Sequence, residues 1–270
     1  MEATNRTFRI LLADAIAPEG VQVLRETAGL EVDEQPSISA SGLQSVIGGY
    51  DALIVRSRTK VTAEVLAAGE RLKVVGRAGV GVDNIDVGSA KQRGVAVLNA
   101  PGGNVISAAE LTLGLMLALA RHIARADASI RRGEWERRRF QGTELYGKTL
   151  GLVGAGRIGS EVARRAAGFE MRVLVCDPYL SRERARDLGA EEASLATLLE
   201  RADIVSVHTP LTEETRGLIG AGELARMKPT AYLINAARGG VVDESALAAA
   251  LEAGQLAGAA LDVFEHEPPG

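Results

Sequence analysis

Apolar residues fall in short runs at 8–13, 52–55, 73–75 and 95–98, and the segments between them carry mixed apolar and polar positions. Runs of this length separated by helix-like stretches predict parallel strands joined by helices. A second series follows at 149–153, 172–176, 204–207, 231–234 and 259–264. These runs are nearly continuous in Val, Ile, Leu and Ala, as expected of strands covered on both faces. The same α/β layout is therefore expected twice, over residues 1–99 and over residues 100–270.

The stretch between the two series reads as a hinge and a connecting helix. Pro101, Gly102 and Gly103 interrupt regular structure, and one helix is expected from about 107 to 132, with Ser107 and Glu110 in capping-box spacing. No low-complexity segment or short repeat occurs along the chain.

Composition narrows the class. With 270 residues, 46% of them apolar, the chain can bury a sizeable core. Net charge is −4 with 24% charged residues, so no general attraction to nucleic acid or to an anionic membrane is implied. Any anion must be held locally. The single cysteine, Cys176, excludes an intramolecular disulfide framework and suits a reducing compartment. The N-terminal segment lacks a signal pattern, and the apolar run at 111–120 is too short to span a bilayer. A cytoplasmic protein is the expectation, and no metal-ligand set is assigned.

Gly154, Gly156 and Gly159 stand in GxGxxG spacing directly after the 149–153 run and at the start of a helical pattern beginning at Arg157. In that context the first glycine permits a tight turn, the second lets backbone approach a pyrophosphate, and the third lets helix and strand pack closely. Amides at the helix start, including those of Arg157 and Ile158, then face the anion. Asp177 ends the next run, eighteen positions after Gly159. That is the place of the acid that binds the adenosine ribose hydroxyls, and a carboxylate there disfavours the extra phosphate of NADP. NAD is therefore the expected cofactor, with Arg182 and Arg184 close enough to soften the preference.

Seven ordered segments carry a family resemblance. They are Val-Arg-Ser-Arg-Thr-Lys at 55–60, Gly-Arg-Ala-Gly-Val-Gly-Val-Asp-Asn-Ile-Asp at 76–86 and Asn-Ala-Pro-Gly-Gly-Asn at 99–104; then the glycine loop, His-Thr-Pro-Leu at 208–211, Asn-Ala-Ala-Arg-Gly-Gly at 235–240 and Leu-Asp-Val-Phe-Glu-His-Glu-Pro at 261–268. Together they resemble the D-isomer-specific 2-hydroxyacid dehydrogenases. The resemblance implies a doubly wound Rossmann nucleotide domain with a smaller flavodoxin-like α/β substrate domain, and a homodimer or larger assembly built through the nucleotide domain. Segment 133–151 is most similar to family members that oxidise 3-phosphoglycerate, which makes that small molecule the expected substrate.

The resemblance assigns roles residue by residue. Arg238, after a strand and before Gly239 and Gly240 that leave room for a ligand, would grip the substrate carboxylate with its planar guanidinium. Glu267 would partner a catalytic histidine, favouring the imidazolium. His208, Thr209, Pro210, Ala236, Asp262 and Val80 would line the cofactor site, and Arg56, Ser57, Arg77 and Asn104 would hold the substrate's anionic ends. The basic run Arg137 to Arg139 reads as a solvated face. In the family the catalytic histidine follows about one strand beyond the glutamate that Glu267 matches, whereas this sequence stops three residues after Glu267. His122, His208 and His266 do not occupy that position. The expectation is a C-terminally truncated chain, lacking the last nucleotide-domain strand and the return segment of the substrate domain, that binds NAD and turns over weakly. Two other readings stay open: a hydroxypyruvate, glyoxylate or lactate enzyme of the same family, and an NAD-sensing corepressor-like binding protein.

Overall fold

A computed structural model describes residues 7–269 and divides into two units, Met1–Asn104 and Val105–Gly270. The first is a five-stranded parallel sheet of β1 (Phe8–Leu12), β2 (Leu30–Glu34), β3 (Ala52–Val55), β4 (Val74–Arg77) and β5 (Ala96–Asn99), in the order β2-β1-β3-β4-β5. That is the flavodoxin-like order. Helices α1 (Pro18–Glu26), α2 (Ala40–Val46), α3 (Ala63–Ala68) and α4 (Val87–Gln92) connect the strands. Leu11, Leu53, Val55 and Val75 pack on one face with Leu43, Ile47 and Leu66, while Ile10 and Leu12 pack on the other with Val21. Period-two alternation in strands covered on both sides produces this three-layer core.

The second unit opens with α5 (Val105–Ala120) and α6 (Ile123–Arg131) and holds six parallel strands: β6 (Thr149–Val153), β7 (Arg172–Cys176), β8 (Ala190–Glu192), β9 (Ile204–Val207), β10 (Tyr232–Asn235) and β11 (Gly258–Leu261). Helices α7 (Arg157–Ala167), α8 (Arg182–Asp187), α9 (Leu195–Arg201), α10 (Ala221–Leu224) and α11 (Glu244–Glu252) alternate with them. The sheet order is β11-β10-β9-β6-β7-β8, the doubly wound arrangement whose order reverses at its first strand, here β6. Ala109, Leu113, Met116 and Ala120 of α5 share a cluster with Leu150, Leu152, Val162 and Val175, and the opposite face gathers Val153, Leu174, Leu198, Val205 and Leu233.

Three local expectations are corrected. The single helix expected over 107–132 is two helices bent by 61°, because His122 adopts a left-handed φ of 55°. The α5 helix begins at Val105, so Ser107 sits inside the first turn and not at the cap. The last strand ends at Leu261, short of residue 264. Strands β2 and β8 have no counterpart among the expected runs. Among the described residues no single helix is long and apolar enough to cross a membrane.

Candidate nucleotide and carboxylate site

The fully buried strand β6 delivers the chain into Gly154, whose φ of +95° suits glycine alone among ordinary residues. Space gives a second reason: a Cβ there would lie 2.9 Å from the His208 carbonyl oxygen. A Cβ on Gly159 would run into the carbonyl oxygen of Gly154, so helix α7 can approach the strand only with glycine at that point. Gly156 differs. It is exposed, it caps the start of α7, and nothing lies within 4 Å of the Cβ it lacks. The open space sits where α7 presents the amides of its first turn, with Arg157 exposed and Ile158 half-buried against the core.

Asp177, just beyond β7, is tied into this loop. Its Oδ2 accepts from the Ala155 amide at 2.8 Å and its Oδ1 from the Tyr179 amide at 2.9 Å. Each oxygen keeps further lone-pair capacity, so a ribose hydroxyl can still be bound. Ser160 Oγ closes the loop from the helix side, donating to the Ala155 carbonyl at 2.9 Å.

The end of β9 lies against the same glycines. The half-buried His208 places Nε2 2.9 Å from Oγ of the fully buried Ser206, and burial pushes the imidazole down to about 4. At neutral pH the ring is therefore uncharged. Thr209 Oγ1 is buried with no hydrogen-bond partner among the described residues, and its Cγ2 lies 3.1 Å from the missing Cβ of Gly154. A buried hydroxyl left without a partner beside a phosphate-type loop calls for a polar ligand or water. Pro210 is exposed, its carbonyl accepting from Thr215 Oγ1 at 2.6 Å. The open position at Gly156, the helix amides, Asp177 and the unsatisfied Thr209 hydroxyl form a site that fits a dinucleotide such as NAD.

The end of β10 carries Arg238. Asn235, only 2% exposed, ends that strand, and its side-chain amide accepts from Ala237 N at 3.1 Å and donates to Arg238 O at 2.9 Å. Arg238 is half-buried, with Nη1 donating to the Ala237 carbonyl at 2.7 Å, and Ala236 is half-buried beside it. Gly239 does not leave room for a ligand as expected. A Cβ on Gly239 would collide with the Phe264 carbonyl, and that of Gly240, whose φ is +79°, would meet Arg216 and Leu211 at 3.5 and 3.7 Å. The smallness of Gly239 lets the turn pack on the Phe264 backbone, and Gly240 supplies the left-handed φ. The Phe264 segment also carries Glu267, exposed, whose Oε1 accepts from Phe264 N at 3.1 Å. Asp262 is exposed and its amide donates to the Asn235 carbonyl at 2.9 Å. The Arg238 turn and the Glu267 turn thus meet at one backbone segment.

In the first unit the residues singled out from the sequence gather at the carboxyl ends of the parallel strands. Arg56 and Ser57 follow β3, exposed on a loop held by the buried Asp14, whose carboxylate accepts from Arg56 N at 2.6 Å, Thr59 N at 3.2 Å and Arg58 Nε at 2.8 Å. Arg77 ends β4, half-buried, its guanidinium folded over Gly79. The carbonyl of half-buried Val80 accepts from Asn99 Nδ2 at 2.6 Å. Asn104 is exposed.

Residues 113–270 match the NAD binding domain of the D-isomer specific 2-hydroxyacid dehydrogenases. The chain belongs to that family. Over 97% of its length it is 51% identical to a D-3-phosphoglycerate dehydrogenase of Archaeoglobus fulgidus, covering 50% of that protein. The chain spans about half the length of such relatives. Among solved structures, the TT0316 protein of Thermus thermophilus superposes with a TM-score of 0.89 at 39% identity, covering 97% of this chain and 84% of that one. D-lactate dehydrogenase from Aquifex aeolicus, complexed with NAD and lactic acid, superposes with a TM-score of 0.84 at 31% identity, covering 96% and 78%.

Within this chain, sequence reading missed Asp14 and Asn235. Each is a polar residue at the end of an apolar strand, and each organises the backbone of the loop beside it. A buried polar residue where a parallel strand ends is the signal that could have found them.

Proposed function

We propose that this chain forms the NAD-binding and carboxylate-gripping part of an enzyme that oxidises 3-phosphoglycerate to 3-phosphohydroxypyruvate, a step of serine biosynthesis. The observation that carries the reading is the Arg238 turn, held by the buried Asn235 in the same unit as the glycine loop. Sequence identity to D-3-phosphoglycerate dehydrogenases over nearly the whole chain supports the substrate.

Arg238 pairs bidentately with the substrate carboxylate and polarises the oxygen on C2, a geometry that a lysine ammonium does not copy. Glu267 is the carboxylate that would favour the protonated form of a catalytic histidine, a role assigned to none of His122, His208 and His266. NAD, when bound, supplies the acceptor for the hydrogen leaving C2 as hydride. Gly154 to Gly159, Asp177, His208, Thr209, Pro210, Ala236, Asp262 and Val80 serve the cofactor. Arg56, Ser57, Arg77 and Asn104 take the phosphate and carboxylate oxygens. A second copy of the chain is the expected partner, through the apolar face of α5 where Ile106 and Leu111 are exposed at 49% and 43%.

Calorimetric titration in the presence of NADH tests the substrate. The chain should bind 3-phosphoglycerate at least ~10-fold more tightly than glycerate or lactate, and Arg238→Lys should weaken that binding by a similar factor. Equal affinity for phosphorylated and unphosphorylated acids would remove the substrate assignment, and an unaffected lysine variant would remove the role of Arg238.

A further inference from the structure

The side chain of Asn235 is spent on the loop that it opens. Its Oδ1 accepts from the amide of the residue two positions on, Ala237, closing an Asx-type turn, and its Nδ2 donates to the carbonyl of Arg238. The chemistry of the partners fixes which end of the amide is which, since an N–H needs the oxygen and a carbonyl needs the NH2. The backbone carbonyl of Asn235 takes the Asp262 amide, so one residue ties the end of β10 to the Arg238 turn and to the chain leaving β11. At 2% exposure, neither end of the amide has water as a substitute partner.

We infer that Asn235 is a positioning residue for the reaction: it fixes the backbone of Arg238 and thereby the aim of the guanidinium. A bidentate grip on a carboxylate requires a set plane and distance, and an arginine side chain reaches that geometry only from a fixed Cα. Gly239 and Gly240, which follow directly, add no stiffness of their own, so the Asx turn supplies it. Aspartate in this place keeps the acceptor, loses the donor to Arg238 O and buries a charge, whereas alanine loses both bonds. The inference rests on the proposed role of Arg238 and concerns a residue that would touch neither substrate nor cofactor through its side chain.

A double-mutant cycle on the whole chain decides it. Binding of 3-phosphoglycerate with saturating NADH is measured for the parent, Asn235→Ala, Arg238→Ala and the double variant, together with NADH affinity and thermal midpoint. Asn235→Ala should weaken 3-phosphoglycerate roughly 10-fold or more while NADH affinity moves by less than about threefold, and the double variant should bind no worse than Arg238→Ala. Independent, additive losses, or parent-like binding by Asn235→Ala, overturn the inference. Asn235→Ser, which keeps an acceptor, replaces the alanine variant if that one fails to fold, with an intermediate loss expected. An unaffected Arg238→Ala would instead sink the functional reading and the inference with it. If the parent binds no 3-phosphoglycerate, the substrate assignment falls, and hydrogen exchange at the Ala237 amide still decides: equal protection in parent and Asn235→Ala contradicts the clamp, and faster exchange in the variant supports it.

Discussion

At the scale of single residues, the three glycines of the loop are small for different reasons, and substitution separates them. Gly159→Ala drives a Cβ into the Gly154 carbonyl, backbone that cannot swing away, so a loss of about 1–3 kcal/mol in stability is expected from overpacking. Gly156→Ala meets nothing within 4 Å, so the folded state should tolerate it within about 1 kcal/mol, the helix-cap difference. Its cost should fall on the ligand: the methyl occupies the space a pyrophosphate needs, and NAD affinity should drop by ~100-fold or more. Urea unfolding and NAD titration on the two variants would show the split, and a Gly156→Ala variant that binds NAD normally would contradict the loop assignment.

His208 gives a pH dependence. The folded imidazole titrates at about 4 against an ordinary 6.5, so in the window between them the unfolded chain takes up a proton that the folded chain refuses. Stability is therefore complete above 6.5 and declines as pH falls toward 4, by up to about 3 kcal/mol from this residue at 1.4 kcal/mol per unit. His208→Asn should flatten the slope of unfolding free energy between pH 6.5 and 4, and an unchanged slope would assign the effect elsewhere.

Among elements, the buried strands were legible because both faces are covered and their sequences are mostly apolar. Strands β2 and β8 were not, for a physical reason. Leu-Glu-Val-Asp-Glu and Ala-Glu-Glu stand at sheet edges, where backbone pairing with one neighbour is enough and charged side chains face water. The break between α5 and α6 was hidden too, since histidine, though enriched at positive φ over most residues, adopts a left-handed backbone too rarely to mark a helix end. Gly142 marks the consequence. A Cβ there would lie 2.6 Å from the Ala120 carbonyl, which also accepts the Thr143 amide at 2.8 Å, so the later segment packs on the C-terminal end of α5. The site shows the same division. Gly154, Asp177 and Arg238 were readable from motif spacing, whereas the clamps Asp14 and Asn235 act through buried hydrogen bonds that spacing does not reveal.

For the molecule as a whole, two parallel sheets each carry residues singled out from the sequence at the carboxyl ends of their strands, the edge where open α/β sheets bind ligands. The net charge of −4 gives no general pull on anions, so the proposed recognition of anionic groups would rest on local donors, the helix amides and Arg238. The structure adds to the account of Asp177, which holds the Ala155 amide besides the ribose contact proposed for it. Removing it should unlatch the loop, so NADP gains nothing from the lost carboxylate. The most direct test is a calorimetric titration of the chain and its Asp177→Ala variant with NAD and with NADP. The parent should bind NAD at least ~10-fold more tightly than NADP, and the variant should bind both weakly and without preference. Equal affinity of the parent for the two cofactors, or full NAD affinity in the variant, would contradict the assignment of this loop as the nucleotide site.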